Sequence, residues 1–360
     1  MKVLHVCETV VGGTGTYLNE LIPLLNKEFS ADSVHLVAPT EHLFQIPNVD
    51  KQGIVPFRRP SRWRGLPLLC YVFVKEMVEF KPTLIHAHST FAGIIARLIA
   101  PFFHVPVIYC PHGWIVDQLL PPWALKTGAF FERMMSSWTA RIIAVSNHEK
   151  LRGIDIGISD TKICVIPSGI SVEPPKFDAV SWEDSRLKVL FVGRLDRQKG
   201  IDILIKAIAD MQEKTSLRVI GDVVVDGKNT PLLTYPHIEF LGWQSVNSVL
   251  GHMAACDVIV IPSRAEAFGF VAVEAMRLGK PVIASAAGGL KELVVSGQTG
   301  FLFEREDSNA LAATLVTALH TDLPSMGKSG RALFLQKFTS EHMAQAIIEL
   351  YRQMERQAHQ

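Results

Sequence analysis

Three features of the sequence predict an α/β architecture of two doubly wound domains. Short β-rich apolar runs alternate with helix-period segments from end to end, many runs are apolar at every position, and the alternation pauses once near the middle. Continuously apolar strands suit a parallel sheet covered by helices on both faces, and repeated β-α units imply such sheets. At roughly 150 residues per domain, a chain of 360 residues has room for two.

In chain order, Lys2–Cys7, Val34–Ala38, Leu84–Ala87, Val105–Cys110, Ile142–Val145 and Ile163–Ile166 read as strands of the first half. Leu187–Val192, Leu217–Ile220, Ile238–Leu241, Val258–Ile261 and Val282–Ser285 read as strands of the second. Helical stretches between them include Thr16–Lys27, Leu66–Phe80, Gly200–Lys214, Phe270–Leu278 and Ala310–Leu319. The segment Ser168–Arg186 holds two adjacent prolines, several charges and no periodicity, so it reads as the interdomain linker. The final segment, Ser340–Gln360, is helical, with Met343, Ala346, Ile347, Leu350 and Met354 on one face. The division is therefore 1–170, 171–339 and a terminal helix at 340–360.

Apolar residues make up 48% of the chain and charged residues 20%, which excludes a disordered or low-complexity protein. The net charge of +1 provides no global field for nucleic acid. Residues 1–170 carry 16 Lys+Arg against 13 Asp+Glu, net +3, and the remainder carries 20 against 22, net −2, so the halves are unlike. Cys7, Cys70, Cys110, Cys164 and Cys256 are scattered without a CxxC pair, as expected of reduced thiols in a cytosolic protein. No run reaches the ~18 apolar residues needed to span a bilayer. The first residues run straight into a strand-like pattern and meet Glu8, so no leader peptide is expected.

Ligands of doubly wound sheets bind at the carboxyl ends of the strands, so the loops there are where chemistry is sought. Gly12-Gly13-Thr14-Gly15 follows the first strand, where glycines let backbone N–H groups approach an anion at a helix N-terminus. It imitates a dinucleotide fingerprint, but Leu18 stands where the third glycine belongs and no acidic residue closes the second strand. A plain tight turn competes with a loop at the base of a cleft, and the cleft loop is favoured. Cys110-Pro111-His112-Gly113 places a histidine at a strand's carboxyl end. A lone histidine there is more often structural, and the glycine after it favours a site.

In Gly193-Arg194-Leu195-Asp196-Arg197-Gln198-Lys199-Gly200, Arg194 and Lys199 stand five apart across a turn that opens a helix. A guanidinium fork and an ammonium at the positive end of a helix suit a diphosphate, the alternative being two solvated cations. In Glu266-Ala-Phe268-Gly269-Phe-Val271-Ala-Val-Glu274 two carboxylates stand eight apart, roughly 12 Å if helical throughout. Phe268-Gly269 breaks the helix, so Glu266 is expected in the preceding loop. One carboxylate could then take sugar hydroxyls in the cleft and the other a ribose, while the N–H groups of Gly269 to Val271 would face phosphate. The competing reading leaves Glu274 on a solvated face. Ala287-Gly288-Gly289-Leu290-Lys291-Glu292 is a further close-approach loop. No two aspartates stand two apart, and both a Gly-x-Ser-x-Gly elbow and a P-loop are missing.

Together these motifs resemble the retaining GT-B glycosyltransferases of family 4, the group 1 glycosyl transferases, over nearly the whole chain and most closely over 187–303. VGRLDRQKG is similar to that family's diphosphate loop, EAFGFVAVE to its Glu-x₇-Glu motif, and VIASAAGGLKELVVSGQTGFLF to the stretch after it. CPHG, VSN and IPSGI are similar to marks of its first domain. The resemblance implies two Rossmann-like domains facing across a cleft, and a C-terminal helix crossing back to the first. It further implies no cofactor and no essential metal, with a nucleotide-diphosphate sugar, UDP- or GDP-linked, as substrate.

By that resemblance Arg194 and Lys199 neutralise the departing diphosphate and Glu274 binds the ribose. Glu266 binds the donor sugar, assisted by the N–H groups of Phe268 and Gly269, with Val271 at the phosphate. Gly13 lets its backbone approach the phosphate or acceptor, and His112 hydrogen-bonds the donor sugar near the anomeric carbon. Asp117, five after His112, is a weak alternative as nucleophile. The family's Gly-acid-Gly turn is altered here to Ile220-Gly221-Asp222-Val223.

Arg58, Arg59, Arg62, Trp63 and Arg64 precede apolar Leu66–Val74, and basic residues with an aromatic suit an anionic lipid surface. A second aromatic-basic stretch runs from Pro122-Trp123 to Phe130-Phe131-Glu132-Arg133, and a solvated loop over a core helix is the plain alternative. The expectation is an enzyme extending a glycan or lipid-linked glycan in bacterial surface polysaccharide or lipopolysaccharide biosynthesis. It would be cytoplasmic, with possible attachment to the inner membrane face. A soluble glucan or glucoside synthase, a non-catalytic nucleotide-sugar-binding module and, more distantly, a nucleotide-sugar epimerase are the competing expectations.

Overall fold

The computed structural model describes residues 1–117, 120–222 and 235–358, the side chains of Arg62 and Ala358 excepted. The chain forms two compact units: Met1–Ser171 with the chain from Thr339 onward, and Val172–Phe338.

The first unit runs β1 (Val3–Cys7), α1 (Gly13–Phe29), β2 (Val34–Pro39), β3 (Ile54–Phe57), α2 (Arg62–Glu79), β4 (Leu84–His88) and α3 (Thr90–Ile99). It continues through β5 (Val107–Cys110), α4 (Pro122–Met135), β6 (Arg141–Ala144), α5 (Asn147–Asp155) and β7 (Ile163–Val165). The seven strands are parallel, in the order β3-β2-β1-β4-β5-β6-β7. Order runs outward from β1 in both directions, so right-handed crossovers place helices on both faces. That explains why β1, at VLHVC, is buried at every position. Leu18, Leu21, Ile22 and Leu25 on α1 repeat at helical spacing and are buried.

The second unit runs β8 (Leu187–Val192), α6 (Ile201–Ile208), β9 (Thr215–Ile220), β10 (Ile238–Gly242), α7 (Val246–Ala255), β11 (Val258–Ile261) and α8 (Phe270–Arg277). There follow β12 (Val282–Ser285), α9 (Leu290–Leu293), β13 (Gly300–Phe303), α10 (Ser308–Ala318) and α11 (Leu323–Lys337). Its six strands are parallel, in the order β10-β9-β8-β11-β12-β13. Its core joins Val189, Phe191, Leu204, Ile208, Val219, Val260 and Ile283. The final helix, α12 (Ser340–Ala358), belongs to the first unit. Thr339 bridges Ile170 just before α12 begins. A Cβ on Gly169 would lie 2.1 Å from the Thr339 carbonyl oxygen, so only glycine admits that approach.

Several elements differ from the sequence reading. Strands β3 and β13 were not anticipated; both are edge strands, and β3 carries Pro56, which an edge tolerates and a sequence pattern penalises. The helix expected over Gly200–Lys214 ends at Ile208, with turns following. Helix α1 begins at Gly13 rather than Thr16, so Gly13 is the first helical residue and Gly12 the cap, at φ 70°. Ser168–Arg186 has no helix or strand, yet it is anchored. Trp182 is buried, donates to Ser216 Oγ at 3.2 Å, and lies under the Arg218 guanidinium. In the Ile220-Gly221-Asp222-Val223 turn, Val223 lies outside the described residues.

The cysteines are free. Burial pushes the thiols of Cys7 and Cys256 up to about 12, and raises those of Cys110 and Cys164, so these four stay protonated at neutral pH.

Candidate functional site

In the second unit, β8 and β11 are neighbours from which strand order runs outward both ways, making the gap between their ends the topological switch point. The loop after β8 carries Arg194 and Lys199, and the loop after β11 carries Glu266.

Asp196 shapes the first loop: it accepts from the Lys199 backbone N–H at 2.9 Å and pairs with Arg194 Nε at 3.1 Å. The Arg194 guanidinium also donates to Gln198 Oε1 at 3.3 Å. Gly200 caps α6 in the left-handed region, φ 70°, where a Cβ would stand 2.1 Å from the Pro262 carbonyl oxygen. The β8 loop is thereby seated on the end of β11. Arg264 N–H donates to the Gln198 carbonyl at 2.8 Å, and the Arg264 guanidinium grips Asp202 with two bonds of 2.8 and 2.7 Å. Arg194 is thus held by a carboxylate while its side chain stays 40% exposed.

Lys199 Nζ reaches Glu266 Oε2 at 2.6 Å, and Ser263 Oγ donates to the same oxygen at 3.4 Å. Glu266 stands in the loop before α8, as Phe268-Gly269 implied. Behind it, Gly289 N–H donates to the Glu266 carbonyl at 3.0 Å, and a Cβ on Gly288 would stand 1.8 Å from that carbonyl oxygen. The close approach read into Gly288-Gly289 is therefore to the Glu266 backbone. The Phe268 ring is buried against Phe270 and Phe338, which leaves its backbone as the part able to meet a ligand. Gly269 caps α8 at φ 116° and, being glycine, brings no side chain to cap that terminus, where Val271 lies in the first turn. Glu274 is half-buried on α8 between Val273 and Ala275, both buried.

In the first unit, Gly13 is exposed at the start of α1. Gly15 has a packing role instead: a Cβ there would meet the Val10 carbonyl oxygen at 2.2 Å. His112 follows β5 in the left-handed region, φ 54°, uncommon for a residue with a Cβ. Glu149 holds its loop in place, accepting from the N–H groups of Gly113 and Val145, each at 2.6 Å. The Trp114 indole donates to the Glu149 carbonyl at 2.7 Å. Burial outweighs those bonds and pushes the Glu149 carboxyl up to about 7. Asp117 is paired with Arg152 at 2.8 Å.

His112 Nε2 lies 3.0 Å from His88 Nδ1, and His88 Nε2 lies 3.0 Å from His5 Nδ1. The Tyr351 hydroxyl is 3.4 Å from His5 Nε2 and 2.6 Å from His86 Nδ1. Burial holds His5 and His112 down to about 3, and burial with neighbouring imidazoles holds His86 and His88 well below the usual range. Sequence reasoning missed this cluster, as it did Glu149 and Asp196. The signal available was IHAH in β4, two histidines at strand spacing on one face of a fully buried strand.

The model for glycosyl transferases group 1 matches residues 173–333, and that for glycosyltransferase family 4 matches residues 11–174. An uncharacterized 41.2 kDa protein in the cps region of Klebsiella pneumoniae is 31% identical over 98% of this chain and 99% of its own. An uncharacterized glycosyltransferase of Methanocaldococcus jannaschii is 31% identical over 82% of this chain and 83% of its own. Among solved structures, Anabaena HepE in complex with UDP-glucose superposes with a TM-score of 0.81 at 22% identity, covering 98% of this chain and 100% of that one.

Proposed function

The chain belongs to the group 1 glycosyl transferases of GT-B type, and from that premise we propose that it moves a sugar from a nucleotide-diphosphate sugar to an acceptor hydroxyl with retention of anomeric configuration. The observation carrying this reading is the Lys199–Glu266 pair at the switch point of the second unit, a cation for a diphosphate beside a carboxylate for hydroxyls.

Arg194 and Lys199 neutralise charge as the bond from C1 to the phosphate oxygen breaks. Glu274 takes the ribose and Glu266 the sugar hydroxyls. The backbone N–H groups of Phe268, Gly269 and Val271 meet phosphate at the uncapped start of α8. Gly13 offers its backbone at the start of α1. His112 hydrogen-bonds the transferred sugar. The acceptor oxygen forms the new bond to C1 on the face the phosphate leaves, and the acceptor proton passes to the departing phosphate oxygen. Two cations and a helix terminus supply the charge stabilisation, so the reading needs no metal and no cofactor. The sequence lacks the Asp-x-Asp pair that would hold one.

The donor is proposed as UDP- or GDP-linked, with UDP supported by the fold shared with a UDP-glucose-bound protein. The acceptor is proposed as a glycan or lipid-linked glycan of a surface polysaccharide or lipopolysaccharide, supported by the cps-region relative. We place the reaction at the cytoplasmic face of a membrane. Exposed Trp63, Tyr71, Trp123 and Phe130 support that, as do the neighbouring Arg58, Arg59 and Arg64; the Arg62 side chain lies outside those described. Among the described residues no helix is long and apolar enough to cross a membrane.

Thermal-shift screening against UDP, GDP, ADP and their sugars, followed by NMR of the product anomer, tests the reading. A nucleotide and its sugar should both stabilise the protein, and the product should keep the donor's configuration. No shift with any nucleotide, or an inverted product, overturns it. Transfer to soluble glucan alone would move the assignment to storage-glucan synthesis.

A further inference from the structure

Five polar groups in the interior of the first unit form one continuous hydrogen-bonded chain: His112, His88, His5, Tyr351 and His86. It is unusual because it is assembled from distant parts of the sequence. His5 lies on β1, His86 and His88 on the neighbouring β4, His112 after β5, and Tyr351 on α12. Register places His5 opposite His86, so three imidazoles meet on one face of the sheet. Tyr17 closes over them, its ring 4.7 Å from that of His112 and edge-on to it. Apolar residues of similar volume would fill this space without the need for partners.

A buried metal is the first explanation to weigh, since one ring nitrogen from each of His5, His86 and His88 lies within 4.8 Å of the others. Against it, a metal on these nitrogens would have to displace hydrogen bonds already made there, since the Tyr351 hydroxyl lies 3.4 Å from His5 Nε2 and 2.6 Å from His86 Nδ1. Imidazole-to-imidazole bonds already engage His5 and His88.

A neutral imidazole has one donor nitrogen and one acceptor nitrogen. In a chain of such rings, the direction chosen at one end therefore sets every other bond. The inner end is His86 Nε2, which is buried and has no hydrogen-bond partner among the described residues. An orphaned buried N–H is rarer than an unused acceptor, so His86 carries its proton on Nδ1 and donates it to the Tyr351 oxygen. Tyr351 then donates to His5 Nε2, His5 Nδ1–H to His88 Nε2, and His88 Nδ1–H to His112 Nε2. His112 is left with its proton on Nδ1. Among the described residues that nitrogen's hydrogen-bonding neighbour is the Cys110 thiol at 3.7 Å, too long for a strong bond.

We propose that His88, His5, His86 and Tyr351 are positioning residues that fix His112 as the Nδ1–H tautomer, presenting a hydrogen-bond donor to a hydroxyl of the transferred sugar. The use of that donor rests on the function proposed above; the tautomer itself does not.

The experiment uses the full chain labelled with ¹⁵N at histidine, with His112 assigned by its loss in His112→Gln. The wild type should show His112 protonated at Nδ1. Tyr351→Phe removes the one hydroxyl in the chain. It should give His112 a mixture of tautomers and lower kcat several-fold while leaving KM for the nucleotide sugar near its wild-type value. Protonation of wild-type His112 at Nε2 overturns the proposal whether or not any variant folds, and so does a His112 signal unmoved in folded Tyr351→Phe. Stoichiometric zinc in the purified protein, released by His86→Ala, also overturns it in favour of a metal site. An intact Nδ1–H signal with no turnover on any nucleotide sugar would instead sink the functional reading and leave the tautomer standing.

Discussion

Lys199 Nζ lies 2.6 Å from Glu266 Oε2, joining the loops that leave two adjacent strands, β8 and β11. Both side chains are more than three-quarters buried, at 23% and 17% exposure, so neither is a freely solvated surface charge. On the proposed function a donor takes over this pair, its diphosphate drawing on the ammonium and its sugar hydroxyls on the carboxylate.

Exchange of partners makes the two halves of the pair unequal under mutation. A nucleotide diphosphate at 100 times its Kd should stabilise the protein by about 2.7 kcal/mol, and Lys199→Ala should remove most of that. Glu266→Gln withdraws the anion that competes for Lys199. It should therefore bind the bare nucleotide diphosphate at least as tightly as wild type while transferring sugar far more slowly. Thermal shifts and initial rates measured on the same preparations check both, and a full shift in Lys199→Ala would remove the ammonium from the site.

Backbone packing sets the Glu266 loop as firmly as the ion pair does. At Gly288, φ is 52° and a Cβ would stand 1.8 Å from the Glu266 carbonyl oxygen, whereas at Gly12, φ is 70° and nothing lies within 4 Å. Gly12→Ala should cost about 1–3 kcal/mol, the conformational penalty alone, because φ 70° with ψ −139° is a region essentially reserved for glycine. Gly288→Ala should cost more than about 3 kcal/mol, because backbone must move, and should weaken nucleotide binding as the loop shifts. Urea titrations compare the two, and equal losses would show that the contact at Gly288 relaxes freely.

The fold was legible because buried parallel strands leave uninterrupted apolar runs, as VLFV and VIVI do at β8 and β11. Edge strands leave weaker traces: IVPF at β3 hides behind its proline and GFLF at β13 opens on glycine. Loop motifs such as Arg194–Lys199 and Glu266–Glu274 were legible because their residues are close in sequence. The histidine chain was not, since His5, His88 and Tyr351 become neighbours only when β1, β4 and α12 pack together. Glu149 escaped for a related reason. Its spacing in NHEKLRGID marks a first-turn helix residue, and nothing local shows its carboxylate gripping Gly113.

Buried neutral histidines make the first unit acid-sensitive. His5 and His112 are held down to about 3, and His86 and His88 also lie below the usual 6.5, so in acid the unfolded chain binds protons that the folded one refuses. Stability is then greatest above pH 6.5 and falls as pH drops, by about 1.4 kcal/mol per pH unit for each ring. Glu149 acts in the opposite sense between 4.5 and about 7, where the folded state keeps a proton that the unfolded state has lost. The histidines outnumber it, so the net slope below pH 6 should be positive with pH and equivalent to two or more protons. Chemical denaturation from pH 4.5 to 7.5 measures it, and a flat profile would mean the imidazoles are charged or solvated.

Membrane attachment makes the remaining prediction, and charge and apolar surface act together in it. Trp63 at 69% exposure and Trp123 at 71% lie in α2 and α4, and both helices follow or contain basic residues. Glu41 accepts two bonds from the Arg59 backbone N–H, at 3.1 and 2.9 Å, tying down the loop before α2. Each basic side chain near an anionic bilayer contributes about 1 kcal/mol. Arg58, Arg59, Arg62 and Arg64 together would then contribute roughly 4 kcal/mol, or nearly three orders of magnitude in partitioning. Replacing all four with Ala should abolish flotation with phosphatidylglycerol liposomes and leave nucleotide binding unchanged. Replacing Trp63 and Trp123 with Ser should weaken flotation even at high salt, where the arginine contribution is screened. Equal flotation of wild type and the four-arginine variant would assign these side chains to solvent and leave the acceptor to be sought among soluble glycans.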